Sequence, residues 1–135
     1  MKFLISAVAA ATIFAVVPAY AETSPMSVTG AATVTVDEAA SLFDAGTAFV
    51  DVRSDSDFDA GRIPGAVHLE LNNVFNEDAL LGVVGKDEAV VLYCNGESCL
   101  RSSEASAMAV DWGFTQVSYF RDGFPAWDAA GHPVE

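Results

Sequence analysis

The feature that most constrains the fold of this chain is a run of apolar residues that ends at a cysteine. Residues 89–94 read AVVLYC, with the charged residues 86–88 before them and Asn95–Gly96 after them. A short run without polar alternation predicts a strand that is buried on both faces, as in a parallel sheet. Because parallel strands need helical crossovers, helices and strands should alternate along the rest of the chain.

The remaining sequence provides that alternation. Thr35 and Glu38 have the spacing of a capping box, which predicts the start of a helix that ends at Gly46. The other predicted helices are at 54–60, at 101–112 and from 125 to a stop at 131, and the other predicted strands are at 48–52, 66–69 and 117–120. The pattern therefore predicts an α/β domain with a mostly parallel central sheet and helices on both faces.

The first 21 residues have the layout of a secretory signal peptide. Lys2 provides a positive charge, residues 3–17 carry none, and residues 19–21 (AYA) have the small-x-small form that signal peptidase accepts. The alternative is an uncleaved membrane anchor, but this uncharged run is shorter than the roughly 18–20 residues that a spanning helix needs. We expect cleavage before Glu22 and export of the mature protein, most simply to a bacterial periplasm.

Composition limits the partners of the mature chain. The full sequence has 19 acidic and 6 basic residues and a formal charge of −13, and loss of Lys2 with the signal peptide leaves 5 basic residues and a charge of −14. Nucleic acids and anionic membranes need clustered positive charge, so neither is an expected partner. Two cysteines are too few for a disulfide scaffold, and two scattered histidines do not suggest a metal site. We expect a flexible leader at 22–30, one domain at 31–135 and a protein that could function as a monomer.

The predicted strand at 89–94 places Cys94 where parallel sheets bind ligands, beyond the carboxyl end of a central strand. The next residues lead directly into the helix that begins near Arg101. Successive N–H groups in such a loop can form an anion-binding nest at the helix N-terminus, which would lower the pKa of the Cys94 thiol. Together with the guanidinium of Arg101, this arrangement predicts a nucleophile that carries a transferred group. The loop residues are Asn95, Gly96, Glu97, Ser98, Cys99 and Leu100.

Several short motifs run in a fixed order across nearly all of the chain after residue 21. They are VDVR at 50–53, GRIPGAVHL at 61–69, the strand ending at Cys94, Arg101-Ser102, GFPAW at 123–127 and GHPV at 131–134. In this order and spacing they resemble the rhodanese-like (sulfurtransferase) domain family. The resemblance implies that Cys94 accepts a sulfane sulfur as a persulfide and passes it to cyanide or a thiol, with no cofactor.

The loop differs from the pattern of the family in two respects. Six residues separate Cys94 from Arg101, whereas four are typical of single-domain members. Cys99 and the acidic Glu97 also lie inside the loop, and a carboxylate there would oppose thiosulfate-like anions unless it points to solvent. Cys99 could resolve a persulfide, form a disulfide with Cys94 or only cap the loop, because a disulfide needs Cα atoms within about 7 Å.

Three functions stay open on the sequence. The leading prediction is an exported sulfurtransferase that takes sulfur from a small donor and gives it to a thiol, a protein thiol or a cyanide-like acceptor. The second is a periplasmic thiol/disulfide protein in which Cys94 and Cys99 cycle as a pair. The third is a catalytically inactive binding module on the same fold. Asp51 and Arg53 are predicted to support the site through hydrogen bonds at the end of their strand.

Overall fold

The computed structural model describes residues 9–13 and 23–135, so most of the predicted signal peptide lies outside the described residues. Helices and strands alternate along the domain. In chain order they are β1 (Ala32–Thr33), α1 (Val36–Asp44), β2 (Ala48–Asp51), α2 (Asp55–Ala60), β3 (Val67–His68), α3 (Glu77–Leu81), β4 (Ala89–Tyr93), α4 (Arg101–Asp111), β5 (Gln116–Phe120) and α5 (Gly123–Ala129). No helix in the described part is long and apolar enough to cross a membrane.

The strands form one five-stranded sheet in the order β1-β5-β4-β2-β3, and all neighbouring strands are parallel. The predicted α/β fold with a parallel central sheet is therefore confirmed. β4 lies in the middle, and its last residue, Tyr93, is in register with Asp51 of β2 and Phe120 of β5. Because these strands end together, the residues that follow them meet at one edge of the sheet, which we call the carboxyl edge.

Two apolar layers cover the faces of the sheet. Leu80 of α3 and Ala105 and Ala109 of α4 pack on one face. Ala39 of α1 and Trp127 of α5 pack on the other. β4 contributes to both layers because successive side chains of a strand point to opposite faces, and this explains its uninterrupted apolar sequence. The central strand is thus held rigidly from both sides, which fixes the position of the residue that follows it.

Local sequence signals account for part of this architecture. The side chain of Thr35 accepts a hydrogen bond from the amide of Glu38, and the Glu38 carboxylate accepts one from the amide of Thr35, so the predicted capping box is present. The last helix starts at Gly123, two residues before the predicted Pro125. The described leader residues 23–30 include no helix or strand, although several of them bond to the domain.

Candidate active site

Cys94 lies at the carboxyl edge, directly after the central strand β4, and its side chain is only 1% exposed. The carbonyl of Cys94 accepts a 2.9 Å hydrogen bond from the amide of Phe124 in the first turn of α5. At Gly123 the backbone of α5 passes so close to the Cys94 carbonyl that a Cβ atom would overlap with it. The base of the loop is therefore fixed by both β4 and α5.

The structure brings Cys94 and Cys99 together in a disulfide, with Cα atoms 6.3 Å apart. The loop curls back on itself rather than continuing the strand or starting the helix early. A hydrogen bond of 3.0 Å from the amide of Cys99 to the carbonyl of Gly96 closes this turn, and Gly96 adopts a left-handed φ of 98°. Cys99 is half-buried, so it is the more accessible sulfur of the pair.

Most backbone amides of the loop donate no hydrogen bond to another group in the described part of the protein. In the described part of the chain, those of Asn95, Gly96, Glu97 and Ser98 donate to no other group. The loop then runs through the half-buried Leu100 into the N-terminus of α4, which has no side-chain cap. Free amides followed by an uncapped helix end can stabilise an anion, including a thiolate or persulfide at Cys94.

Asp51 and Arg53 form a buried ion pair next to the start of this loop. The Arg53 guanidinium is 3% exposed and donates to both carboxylate oxygens of Asp51 and to the carbonyl of Gly61. It also donates to the side chain of Asn95, which in turn donates to Asp57 of α2. Burial lowers the pKa of Arg53, but its hydrogen bonds to Asp51 and that carboxylate's charge outweigh the effect, so the pKa is raised. The loop thus begins on a fixed, charged support.

Arg101 begins α4, and its guanidinium pairs with a carboxylate. Its guanidinium donates to a carboxylate oxygen of Glu70 at 2.6 Å and to the carbonyl of Val52 at 3.3 Å. Burial raises the pKa of Glu70, but hydrogen bonds from the amides of Asn72 and Asn73, the Asn73 side chain and Arg101 outweigh it, so the pKa is lowered. In this state of the protein, Arg101 ties α4 to the segment after β3.

Replacing Glu70 by glutamine should reduce the pH dependence of folding stability. A carboxyl with a lowered pKa stabilises the fold above the ordinary glutamate pKa, and that contribution is lost as the pH falls through the lowered value. Urea unfolding at neutral pH and at about pH 3 should therefore show a smaller difference for Glu70→Gln than for the unaltered chain. The control is Glu77→Gln, which removes a more exposed ion pair with Lys86; an equal effect of both variants would contradict the assignment.

A third charged pair borders the loop on the side of β5. Glu97 has an exposed side chain, and one of its carboxylate oxygens lies 3.4 Å from the Arg121 guanidinium. Neither Glu70 nor Arg121 was predicted from the sequence to belong to the site. Arg121 lies immediately after β5, and Glu70 lies two residues after β3. The rule that residues just after parallel strands form the site, which located Cys94, could therefore also have located them.

Among the described residues, no cluster of three or more histidine, cysteine or acidic side chains could hold a metal.

The chain matches the model of the rhodanese-like domain over residues 35–130. Among curated proteins, it is 31% identical over 94 residues to the thiosulfate sulfurtransferase GlpE of Pseudomonas savastanoi pv. phaseolicola, covering 69% of this chain and 83% of GlpE. It is 30% identical over 119 residues to the protein HIGH ARSENIC CONTENT 1, mitochondrial, of Arabidopsis thaliana. This match covers 82% of this chain and 69% of the Arabidopsis protein. An HTH-type transcriptional regulator of Mycobacterium tuberculosis is 36% identical over 86 residues, which are 64% of this chain and only 36% of the regulator.

Solved structures show the same fold. A rhodanese-like domain from Anabaena superposes with a TM-score of 0.66 at 25% identity, covering 76% of this chain and 77% of that one. The human single-domain sulfurtransferase TSTD1 superposes with a TM-score of 0.61 at 24% identity, and the match covers 73% of this chain and 96% of TSTD1. The family model spans more than two thirds of the sequence, and the fold agrees with that of these solved structures. This chain belongs to the rhodanese-like domain family.

Proposed function

We propose that this protein is a sulfurtransferase that carries sulfane sulfur on Cys94. The observation that carries the proposal is the position of Cys94, at the end of the central strand and at the start of a loop with free amides. The name of GlpE, thiosulfate sulfurtransferase, supports the same reaction class. Asn95, Gly96, Glu97, Ser98 and Leu100 would then surround the transferred sulfur.

The proposed reaction starts from the reduced protein. The Cys94 thiolate attacks the outer sulfur of a donor such as thiosulfate, a sulfur–sulfur bond forms on Cys94, and sulfite leaves with the electron pair of the broken bond. Cyanide or an external thiolate then attacks the outer sulfur of the persulfide and restores the Cys94 thiolate. The free loop amides stabilise the negative charge on the persulfide between these two steps.

Cys99 gives the persulfide a second way to react. Its thiolate can attack the inner sulfur of the persulfide, which forms the Cys94–Cys99 disulfide and releases hydrosulfide. The 6.3 Å separation of the two Cα atoms is within the range for a disulfide. The disulfide in the structure is compatible with this step, and two external thiols are needed to reopen it.

The charges at the carboxyl edge favour a donor with little negative charge. Arg53, Arg101 and Arg121 are each paired with a carboxylate there, and the chain carries a net charge of −13. A doubly charged anion such as thiosulfate meets no unpaired guanidinium among these three and approaches an acidic protein. The persulfide group of an organic donor carries at most one negative charge, whereas thiosulfate carries two, so we propose that class as the preferred donor.

Replacing Cys99 by serine should make the persulfide accumulate. The reduced variant, mixed separately with thiosulfate and with glutathione persulfide, should gain about 32 mass units, one sulfur atom, on Cys94 in at least one mixture. The unaltered chain should instead lose two hydrogens as its disulfide forms. Cyanide should remove the added sulfur from the variant as thiocyanate. If neither donor adds sulfur to reduced Cys99→Ser, the proposed function is wrong and a non-catalytic binding module becomes the better assignment.

The disulfide itself favours a second candidate, a thiol/disulfide exchange protein. In that case an external thiol attacks the half-buried Cys99, and Cys94 leaves as a thiolate stabilised by the loop amides. A Cys94→Ser variant should then form a stable mixed disulfide at Cys99 with oxidised glutathione, whereas Cys99→Ser should react slowly at the buried Cys94. Equal reactivity of the two variants would exclude this directional exchange.

A further inference from the structure

A short segment before β1 lies against the active loop at the carboxyl edge. The amide of Ser24 donates a 2.7 Å hydrogen bond to the carbonyl of Glu97. The carbonyl of Pro25 accepts a hydrogen bond from the Tyr119 hydroxyl, and that of Met26 accepts one from the Thr33 hydroxyl. Ser24 is 3% exposed, as buried as the core. We call residues 24–26 the strap.

Arg121 connects the strap to the loop. Its Nε and Nη2 donate to the carbonyl of Ser24 at 3.3 and 3.0 Å, and its Nη1 lies 3.4 Å from a carboxylate oxygen of Glu97. The guanidinium itself is almost fully buried, at 8% for the whole residue. Because Arg121 follows β5 and Cys94 follows the neighbouring β4, the same sheet register that places the nucleophile also places this arginine.

Among the described residues, both polar contacts that join the loop to the strap and Arg121 come from Glu97, which lies inside the ring closed by the Cys94–Cys99 disulfide. The disulfide restricts the conformations that residues 95–98 can adopt. Reduction removes this restriction, so the loop must lose more conformational entropy to present Glu97 to the strap. The strap therefore binds the oxidised loop more strongly than the reduced loop, and by linkage it favours disulfide formation by the same factor.

We infer that the strap is a redox-coupled clamp on the active loop, with Arg121 as its positioning residue. Oxidation seats the strap and leaves Cys94 sealed, at 1% exposure. Reduction by two thiols, which supply two electrons and two protons and leave as one disulfide, loosens the strap and opens the loop to a sulfur donor. The inference adds a regulation to the proposed function, but its test measures a thiol–disulfide equilibrium and requires no sulfurtransferase activity.

To test this inference, the full chain is equilibrated with mixtures of reduced and oxidised glutathione. The free thiols are then alkylated and counted by mass spectrometry, which gives the equilibrium constant between disulfide and dithiol. Arg121→Gln should shift the equilibrium constant toward the dithiol by about fivefold or more, which equals about 20 mV for this two-electron couple. Tyr119→Phe removes only the hydrogen bond to Pro25 and should shift it in the same direction by a smaller factor. The control is Arg62→Gln, since Arg62 pairs with Glu135, and it should match the unaltered chain.

Hydrogen exchange provides a readout in the unaltered protein. The amide of Ser24 donates to Glu97 in the oxidised state, so it should exchange faster after reduction, while amides of the central strand β4 should not change. The inference is overturned if Ser24 exchanges equally in both states, or if folded Arg121→Gln and Tyr119→Phe keep the equilibrium of the unaltered chain. If Arg121→Gln does not fold, Tyr119→Phe and the exchange measurement decide the question.

Discussion

Replacing Cys94 by serine is expected to abolish sulfur transfer to cyanide, with a loss of more than about a thousandfold in rate. A hydroxyl at this position is not ionised at neutral pH and cannot form a persulfide, so the loop amides have no transferred sulfur to stabilise. The measurement is thiocyanate formation by the reduced protein with each of two donors, thiosulfate and glutathione persulfide. Wild-type turnover in this variant would show that Cys94 is not the nucleophile.

The control for this loss is the second cysteine. Cys99→Ser also prevents the disulfide but keeps the Cys94 thiol, so it should retain transfer to cyanide and need no prior reduction. A Cys94→Ala variant provides a second test of the chemistry, because alanine also lacks the thiol but adds no hydroxyl at this buried position. Both Cys94 variants should lose activity alike.

Replacing Gly123 by alanine should damage both the fold and the loop. Gly123 has a φ of +62°, and an added Cβ would overlap with the Cys94 carbonyl and lie 2.9 Å from the amide of Gly96. The left-handed backbone costs alanine about 1–2 kcal/mol, and forcing α5 away from the loop adds about 1–3 kcal/mol. Denaturant unfolding should show the combined loss, and displacement of the loop should lower sulfur transfer in the protein that remains folded.

Gly131 offers a matched control for this prediction. It also has a left-handed φ, of +79°, but no atom lies within 4 Å of the position of a Cβ. Gly131→Ala should therefore lose only the backbone contribution of about 1–2 kcal/mol and should keep the sulfur transfer of the unaltered chain. If both variants lose the same stability and activity, the close approach at Gly123 has no effect of its own.

The parts of the fold that were predictable are those coded by local pattern. The central strand β4 has no polar alternation because both its faces are covered, and α1 carries its own capping box. β1 escaped prediction because it consists of two exposed residues, Ala32 and Thr33, whose strand conformation depends on pairing with β5. The early start of α5 at Gly123 likewise depends on a contact with the distant Cys94.

The features of the candidate site were likewise predictable only where they depend on local sequence. The chain order of strand, loop and helix located Cys94, and the curl of the loop that joins it to Cys99 was one of the alternatives left open. The partners of the arginines were not predictable, since Arg101 and Glu70 are 31 residues apart and Arg121 and Ser24 are 97 apart. Such pairs depend on which strand ends are neighbours in the sheet, and a single sequence does not contain that order.

The two outer strands of the sheet, β1 and β3, are only two residues long each. An outer strand offers its unpaired backbone groups to other chains, and short ones give a second molecule very little to add to. Copies of this protein should therefore resist aggregation by strand addition even at high concentration. A protein that exchanges sulfur with it would have to recognise side chains around the loop, so selectivity among partners would lie in those side chains rather than in backbone pairing.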